Sequence, residues 1–563
     1  MLARVLLVGI PLLAVYMYHR LRTYRFSKYA HLPQLKSSLV WGHLKVLHQY
    51  IRASLHPDQS ADEIFAQMCH ELSDPPVFLV DLWPVSRPMA IVSNHAVAEQ
   101  ISRSTKTHPW SLPKSPTMSA FNYLVGPKSL LMKNGAEWKT FRKRFNPGFA
   151  PHHLISLLPC IIDKTVVFLR HLDSYAATGE SFEFMELTIN LTFDIIGAVV
   201  MDEDFEAQGG GDRKGEFIEL YVELIQSYSM QDEEVRLPWW LTPGKIMRRR
   251  RLGGRIDEIL GGMIRRQFAE RKRLGDGKAK SRSVLSLGLQ DVDELSDDLL
   301  SVTVDQIKTF LFAGHDTTSI LLTWIFYELS RTPRALKAVR DELDEVFGTD
   351  PDPRVVSDKL LSADGEELLS RMSYTSAVIK EMLRLHPPAG SARYSPAGSG
   401  FSVTDDKGNV IPLDDAVIYL CHPLIQKDQS VYGETAHEFV PERWLGNSDT
   451  SERTNVDENG HDGAAKIPPG AWRPFERGPR NCIGQELANI EARVIIAMIA
   501  RRYDFTKVGL GELARDEKGR PILDERGQYK VKDELYSVRQ ITSKPADGVR
   551  MKAKLTDQAA PLE

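Results

Sequence analysis

The chain runs to 563 residues, of which 42% are hydrophobic and 9% aromatic, enough to bury a large core and too apolar for an intrinsically disordered protein. A formal net charge of −4 provides no global basic field that would point to nucleic acid. Its four cysteines, Cys69, Cys160, Cys421 and Cys482, show no CxxC spacing, which argues against a disulfide framework or a thiolate zinc site and suits a reducing compartment.

The chain opens "MLARVLLVGIPLLAVYMYHRLRTYR", and between Leu2 and Tyr18 only Arg4 interrupts the apolar run. As a helix that run spans roughly 26 Å, the reach of a short membrane anchor. No small-residue cleavage site follows, so residues 1–25 read as a retained anchor rather than a signal peptide. Arg20, Arg22, Arg25 and Lys28 come after the run and place the body of the protein on the cytoplasmic side. With that topology the Asn190-Leu191-Thr192 sequon reads as a chance match.

Beyond the anchor, helical patterns alternate with short loops, and strand-like stretches are confined to 76–83, 90–94 and 416–421. This predicts a mainly α fold with small β-sheets and no internal repeat. Segments 207–216, 446–470 and 510–533 read as insertions, the first two on the surface. The loop "HPWSLPKSPTMSAFNYLVG" (108–126) mixes prolines with Trp110, Phe121, Tyr123 and Leu124, side chains that suit either a lipophilic ligand or the core. In "EWKTFRKRF" (137–145), Trp138 and Arg142 stand four apart on one helical face.

A long helix is predicted from "TVDQIKTFLFAGHDTTSILLTWIFYELSRTP", opening at a capping-box-like Thr303-x-x-Gln306 and ending before Pro333, about 28 residues. Gly314, Asp316, Thr317 and Thr318 are poor helix formers at its centre, a conflict of the kind found at functional sites, although a buried Thr can also simply bond back to the preceding turn. Further on, "SAVIKEMLRLHPP" sets Glu381 and Arg384 three apart, and "FVPERW" (439–444) follows.

One cysteine stands in a loop of glycine, proline and arginine: "PFERGPRNCIGQ" (474–485), ahead of a helical pattern with Leu487, Ile490, Val494 and Met498 on one face. A helix start favours the thiolate, and Gly478 and Gly484 permit a tight loop over a large partner, so Cys482 could present sulfur to a metal. An inert structural cysteine is the alternative.

The order Phe475, Gly478, Arg480, Cys482, Gly484 resembles the haem-ligand loop of the cytochrome P450 family. The resemblance extends from about residue 30 to 555. It implies the P450 fold, a haem domain over 26–563, and Cys482 as the axial thiolate on the iron of heme b. "AGHDTT" (313–318) is similar to the family's oxygen-binding stretch, which would have Thr317 hold oxygen and water and Asp316 help deliver protons. Glu381, Arg384 and Arg443 resemble its Glu-Arg-Arg cluster, with Trp444 where many members have Phe. Trp138, Arg142, Arg393 and Arg480 fall where the family supplies propionate contacts, and Phe475 belongs to the cofactor loop.

The implied function is a microsomal-type monooxygenase that inserts one oxygen atom of O2 into a lipophilic small molecule. Electrons would come from NADPH-cytochrome P450 reductase, which Lys139, Lys143, Arg144 and Arg477 could dock. The style of the motifs looks most like filamentous-fungal members and a secondary-metabolite, mycotoxin-like pathway, at the endoplasmic reticulum membrane with a cytosolic catalytic domain. Fatty-acid or alkane hydroxylation, a P450-fold isomerase or dehydratase needing no reductase, and a haem carrier are the alternatives; the intact Asp316-Thr317 pair disfavours the last two.

Overall fold

The computed structural model of the chain describes residues 2–209, 215–228, 242–274, 282–445, 467–560 and 562. They form two compact units, each discontinuous in sequence. One is Met1–Thr117 with Gly390–Tyr432 and Ile467–Arg480; the other is Met118–Ala389 with Gly433–Lys466 and Asn481–Glu563. Most of the insertion 446–470, and residues 210–214 of the segment 207–216, lie outside the described residues.

The first unit is built on a four-stranded sheet. Its strands run in the order Val77–Val80, Met89–Val92, Ala416–Leu420, Ser391–Ser395. Ala416–Leu420 is buried at every position, the pattern of an inner strand covered on both faces. The strand Ser391–Ser395 escapes sequence reading because "SARYS" has no run of branched or aromatic residues, and its neighbour supplies the pairing instead.

Leu2–Phe26 is one helix with Pro11 inside it, and Ile10, Leu12 and Leu13 along it are 60–65% exposed. Its last turn belongs to the folded body. Arg25 is buried, pairs with Asp81, and donates to the carbonyls of Val40 at 2.8 Å and Trp83 at 2.7 Å.

In the second unit the central helix is Asp297–Arg331, 35 residues long, or roughly 52 Å. It starts six residues before the predicted Thr303. Ser296 is the N-cap, its hydroxyl accepting from the Leu299 amide at 3.3 Å, with Asp297 and Asp298 in the first turn where the helix dipole favours them. The predicted capping box does not form. Thr303 donates back to Leu299, and Gln306 is spent on the 128–130 backbone, accepting from the Leu130 amide at 2.7 Å.

The helix Phe184–Met201 packs along this central helix. It is apolar and long enough to cross a bilayer, but 72% of that window is buried inside the protein, so it serves as a core helix. The two backbones approach closely: Thr192 donates to the His315 carbonyl at 2.9 Å, and Thr188 and Thr323 exchange a bond at 3.0 Å. At the crossing a Cβ on Gly314 would lie 2.5 Å from a side-chain carbon of Ile196, so the contact admits no side chain at 314. Asn190 is half-buried in this helix, a poor position for a glycan.

Segment 207–216 does not begin as a surface insertion. Ala207 and Gln208 are buried because their amides donate to the Asp194 carboxylate at 2.8 and 3.1 Å. The insertion 510–533 folds into turns linked by bridges such as Leu513 to Val531, and it closes the end of the central helix. The Tyr529 amide donates to the Arg331 carbonyl at 2.7 Å, and Gln528 Nε2 donates to Glu328 at 2.9 Å and to Thr332 at 3.0 Å.

Gly314→Val is expected to cost about 2 kcal/mol by overpacking against Ile196. A lowered urea midpoint reads this loss, and Ile196→Ala in the same chain should recover much of it through the coupling of touching sites.

Candidate active site

The helix Gln485–Ile499 buries Leu487, Ile490, Val494 and Met498, and this apolar face fixes it in the second unit. Gly484 is its N-cap, and Cys482 stands exposed two residues earlier. From the helix Gly135–Phe145, Arg142 reaches this turn. Its Nη1 donates to the Asn481 carbonyl at 2.6 Å and its Nη2 to Asn481 Oδ1 at 3.1 Å, while Nε donates to Asn146 at 2.8 Å. Burial pushes the Arg142 guanidinium down, with Cys482 opposing the shift. Trp138, one turn earlier, is buried. Arg142 of the W-x-x-x-R pair therefore holds the residue beside the cysteine, a contact the family resemblance did not indicate.

The preceding part of the loop belongs to the first unit. Gly478 has φ +73°, and a Cβ there would lie 2.3 Å from the Ser102 carbonyl oxygen, so the turn requires glycine. Phe475 is half-buried, edge to face with Trp472 at 6.1 Å, and Arg480 is buried in the 3-10 turn Gly478–Arg480. Glu476, also at positive φ, accepts from Arg473 at 2.7 Å and from Ser102 at 3.0 Å, and lies 3.7 Å from the Arg393 guanidinium. Burial would raise the Glu476 carboxyl; Arg473, His422 and Arg393 outweigh it and hold the group far below the usual carboxylate range. Arg393 is fully buried, and none of its three side-chain nitrogens has a hydrogen-bond partner among the described residues. Arg477 is engaged by Glu99 at 2.8 Å.

On the central helix, every residue from Thr303 to Leu329 is buried except three: Ala313, Gly314 and Thr317. Positions i, i+1 and i+4 share one face. The Thr317 hydroxyl donates to the Ala313 carbonyl at 2.8 Å, bonding back along the turn. Asp316 is directed elsewhere. It is 1% exposed, paired with Lys544 at 2.7 Å, and accepts from Thr542 at 2.5 Å.

Glu381, Arg384 and Arg443 come together. Arg384 donates to both Glu381 oxygens at 2.8 and 2.9 Å, and Arg443 to one of them at 2.9 Å. The spare Arg384 donors hold the carbonyls of Ala436 and Glu438, and Arg443 holds Thr435. Two further donors to the carboxylate, Trp444 Nε1 at 2.9 Å and the Val440 amide at 3.0 Å, are contacts that sequence reading missed. In the proline-rich loop, Leu124 is fully buried, as core, while Phe121 packs against Tyr228 at 5.6 Å.

A family model described as cytochrome P450 matches residues 53–531. A cytochrome P450 monooxygenase, acrF, of Aspergillus aculeatus is 33% identical over 88% of this chain and 97% of its own length. Another, polC of Polytolypa hystricis, is 29% identical over 76% of this chain and 73% of its own. A self-sufficient cytochrome P450 monooxygenase of Aspergillus niger is 28% identical over 65% of this chain but only 31% of its own length.

Trp444→Phe keeps the ring and deletes one donor to a buried carboxylate, for an expected loss of about 2 kcal/mol. Glu381→Gln strands two guanidiniums and should cost about 3–5 kcal/mol. Denaturant titration of both variants checks the order, and equal stabilities would contradict it.

Proposed function

Because the chain belongs to the cytochrome P450 family and is an oxidoreductase of it, we propose that it is a microsomal-type haem-thiolate monooxygenase acting on a lipophilic small molecule in fungal secondary metabolism. The observation that carries this reading is the interruption of burial in the middle of the central helix, where between Thr303 and Leu329 only Ala313, Gly314 and Thr317 are not buried. The small Ala313 side chain leaves room there for a flat group, and the Thr317 hydroxyl is the one polar side chain at this interruption.

The residues fit heme b. The buried Arg393 guanidinium, without a hydrogen-bond partner among the described residues, meets the demand of a propionate for a cation, with Arg480 assigned the same role and Trp138 and Phe475 counted among the contacts. Arg142 steadies the Asn481–Cys482 turn. Cys482 would hold the iron through its thiolate, and the haem so held would supply oxygen activation, a thiolate favouring O–O cleavage.

The chain's own residues position and move protons. Thr317 exchanges its bond to Ala313 for one to oxygen or water at this interruption, and Asp316, next to it in the chain and about 100° round the helix, replenishes the proton. Electrons come from NADPH through a separate reductase, supported by exposed Lys139 and Lys143. Exposed Ile10, Leu12, Leu13 and Val15 support an N-terminal anchor in the endoplasmic reticulum membrane. That the relatives acrF and polC are named as cytochrome P450 monooxygenases of fungi supports a fungal monooxygenase.

The reduced, CO-bound protein should show the red-shifted Soret band of a thiolate-ligated haem; a histidine-type band in folded protein would overturn the assignment of Cys482. Thr317→Ala should load haem as the parent does and divert electrons to peroxide. Tight coupling in that variant would remove Thr317 from the proton path. Deleting residues 2–20, which spares the buried Arg25, should move the protein from the membrane pellet to the soluble fraction with haem content retained. A truncated protein that stays in the pellet after a high-salt wash would require further membrane contacts.

A further inference from the structure

Beside the central helix lies a cavity of about 160 Å³ that the reaction as described does not use. Asn190, Tyr221, Gln226, Gln540, Asp316 and Lys544 supply its polar lining. It has an outer and an inner end. Val222 is 42% exposed and Gln226 is exposed, whereas Tyr221 and Asp316 are each 1% exposed. The Tyr221 hydroxyl is buried with no hydrogen-bond partner among the described residues, so the space is roomy and offers polar groups that water would satisfy.

At the inner end, Lys544 Nζ stands 2.7 Å from Asp316 Oδ1, and Thr542 donates to Oδ2 at 2.5 Å. Both come from the strand Thr542–Pro545, which pairs with Ser537–Gln540 through a turn at Ile541. Ile541 has φ 75°, a conformation that is costly for a β-branched residue. The strained turn delivers a threonine and a lysine to one buried carboxylate.

Resting on the reading of Asp316 and Thr317 as a proton relay, we propose that Lys544 is a positioning residue that fixes the Asp316 carboxylate at the floor of a hydrated inlet, and that protons enter the relay through this inlet. A proton taken from the cavity's water by Asp316 is passed to Thr317 and replaced from the same water, while Lys544 keeps its own proton throughout. Burial, the largest influence, opposes ionisation of Asp316; Lys544, His315 and the Thr542 hydroxyl together outweigh it and hold the carboxyl below the usual carboxylate range. The other titratable groups facing Asp316 are His315, which burial pushes down, and Tyr221, which burial pushes up, so both stay neutral near neutral pH. With Lys544 replaced by Met, burial is opposed only by His315 and the Thr542 hydrogen bond, and the Asp316 carboxyl rises.

The test uses the haem-loaded full-length chain with NADPH and a reconstituted reductase, no organic substrate added, so that electrons end in peroxide or water. Lys544→Met should show, in infrared pH-difference spectra, a protonated-carboxyl signal absent from the parent and from the Lys544→Met, Asp316→Asn double variant. Its water-forming rate should fall by about 10²-fold, the low end of what a positioned proton donor contributes, with peroxide rising in step. Val222→Trp, at the exposed mouth, leaves the ion pair intact; it should raise the peroxide share and the solvent isotope effect without the carboxyl signal, and it serves if Lys544→Met does not fold. Absence of the carboxyl signal in folded Lys544→Met overturns the role of Lys544. If Thr317→Ala changes the peroxide share while Lys544→Met and Val222→Trp do not, the inlet is wrong and the relay stands. If Thr317→Ala also changes nothing, the relay falls and the inlet with it.

Discussion

The Glu381 carboxylate is wholly excluded from solvent, and four donors converge on it: two guanidiniums, an indole N–H and a backbone amide. The donors come from two stretches of chain. Arg384 shares the helix Ser373–Leu385 with Glu381, while Val440, Arg443 and Trp444 belong to the segment that leads toward the cysteine loop. Such a cluster contributes less to net stability than its bond count suggests, because desolvating three charges offsets most of the gain. What it contributes is geometry. The spare Arg384 and Arg443 donors hold the carbonyls of Thr435, Ala436 and Glu438, so three carbonyls of an irregular segment without a sheet of its own are hydrogen-bonded.

The central helix illustrates the opposite economy. Between Thr303 and Leu329 it is buried except at Ala313, Gly314 and Thr317. Gly314 allows the close crossing with Phe184–Met201 that a side chain meeting Ile196 would otherwise block. The helix propensity lost there is compensated by interhelical bonds from Thr188 and Thr192.

Much of this is legible in the sequence. The cysteine loop, the Glu381–Arg384 spacing and the three main strand stretches each depend on local signals: glycines in a turn, residues three apart on one face, runs of branched side chains. The start of the central helix was misread because Thr303-x-x-Gln306 has the composition of a capping box, whereas Ser296 followed by two aspartates is the cap that the backbone uses. Gln306 instead satisfies the backbone of a distant loop, a tertiary demand that no local pattern carries. Trp444 stands where many family members have Phe, yet its indole nitrogen bonds the buried carboxylate. Glu476 lay in plain view between two arginines, but its role depends on Arg393, which arrives from another strand. Ala207 and Gln208, beside three glycines, look like a surface loop until Asp194 takes up their amides.

The turns of 510–533 and the strand Thr542–Pro545 fasten the central helix at its end and its middle, across sequence separations of 200 and 226 residues. A chain emerging from the ribosome at 5–20 residues per second therefore waits roughly 10 to 45 s between making the helix and making its fasteners. During that interval an apolar helix with a carboxylate at its centre has neither its capping groups nor its lysine. Residues 510–545 thus decide when the core can close, and a nascent protein must be shielded from association until they have been translated.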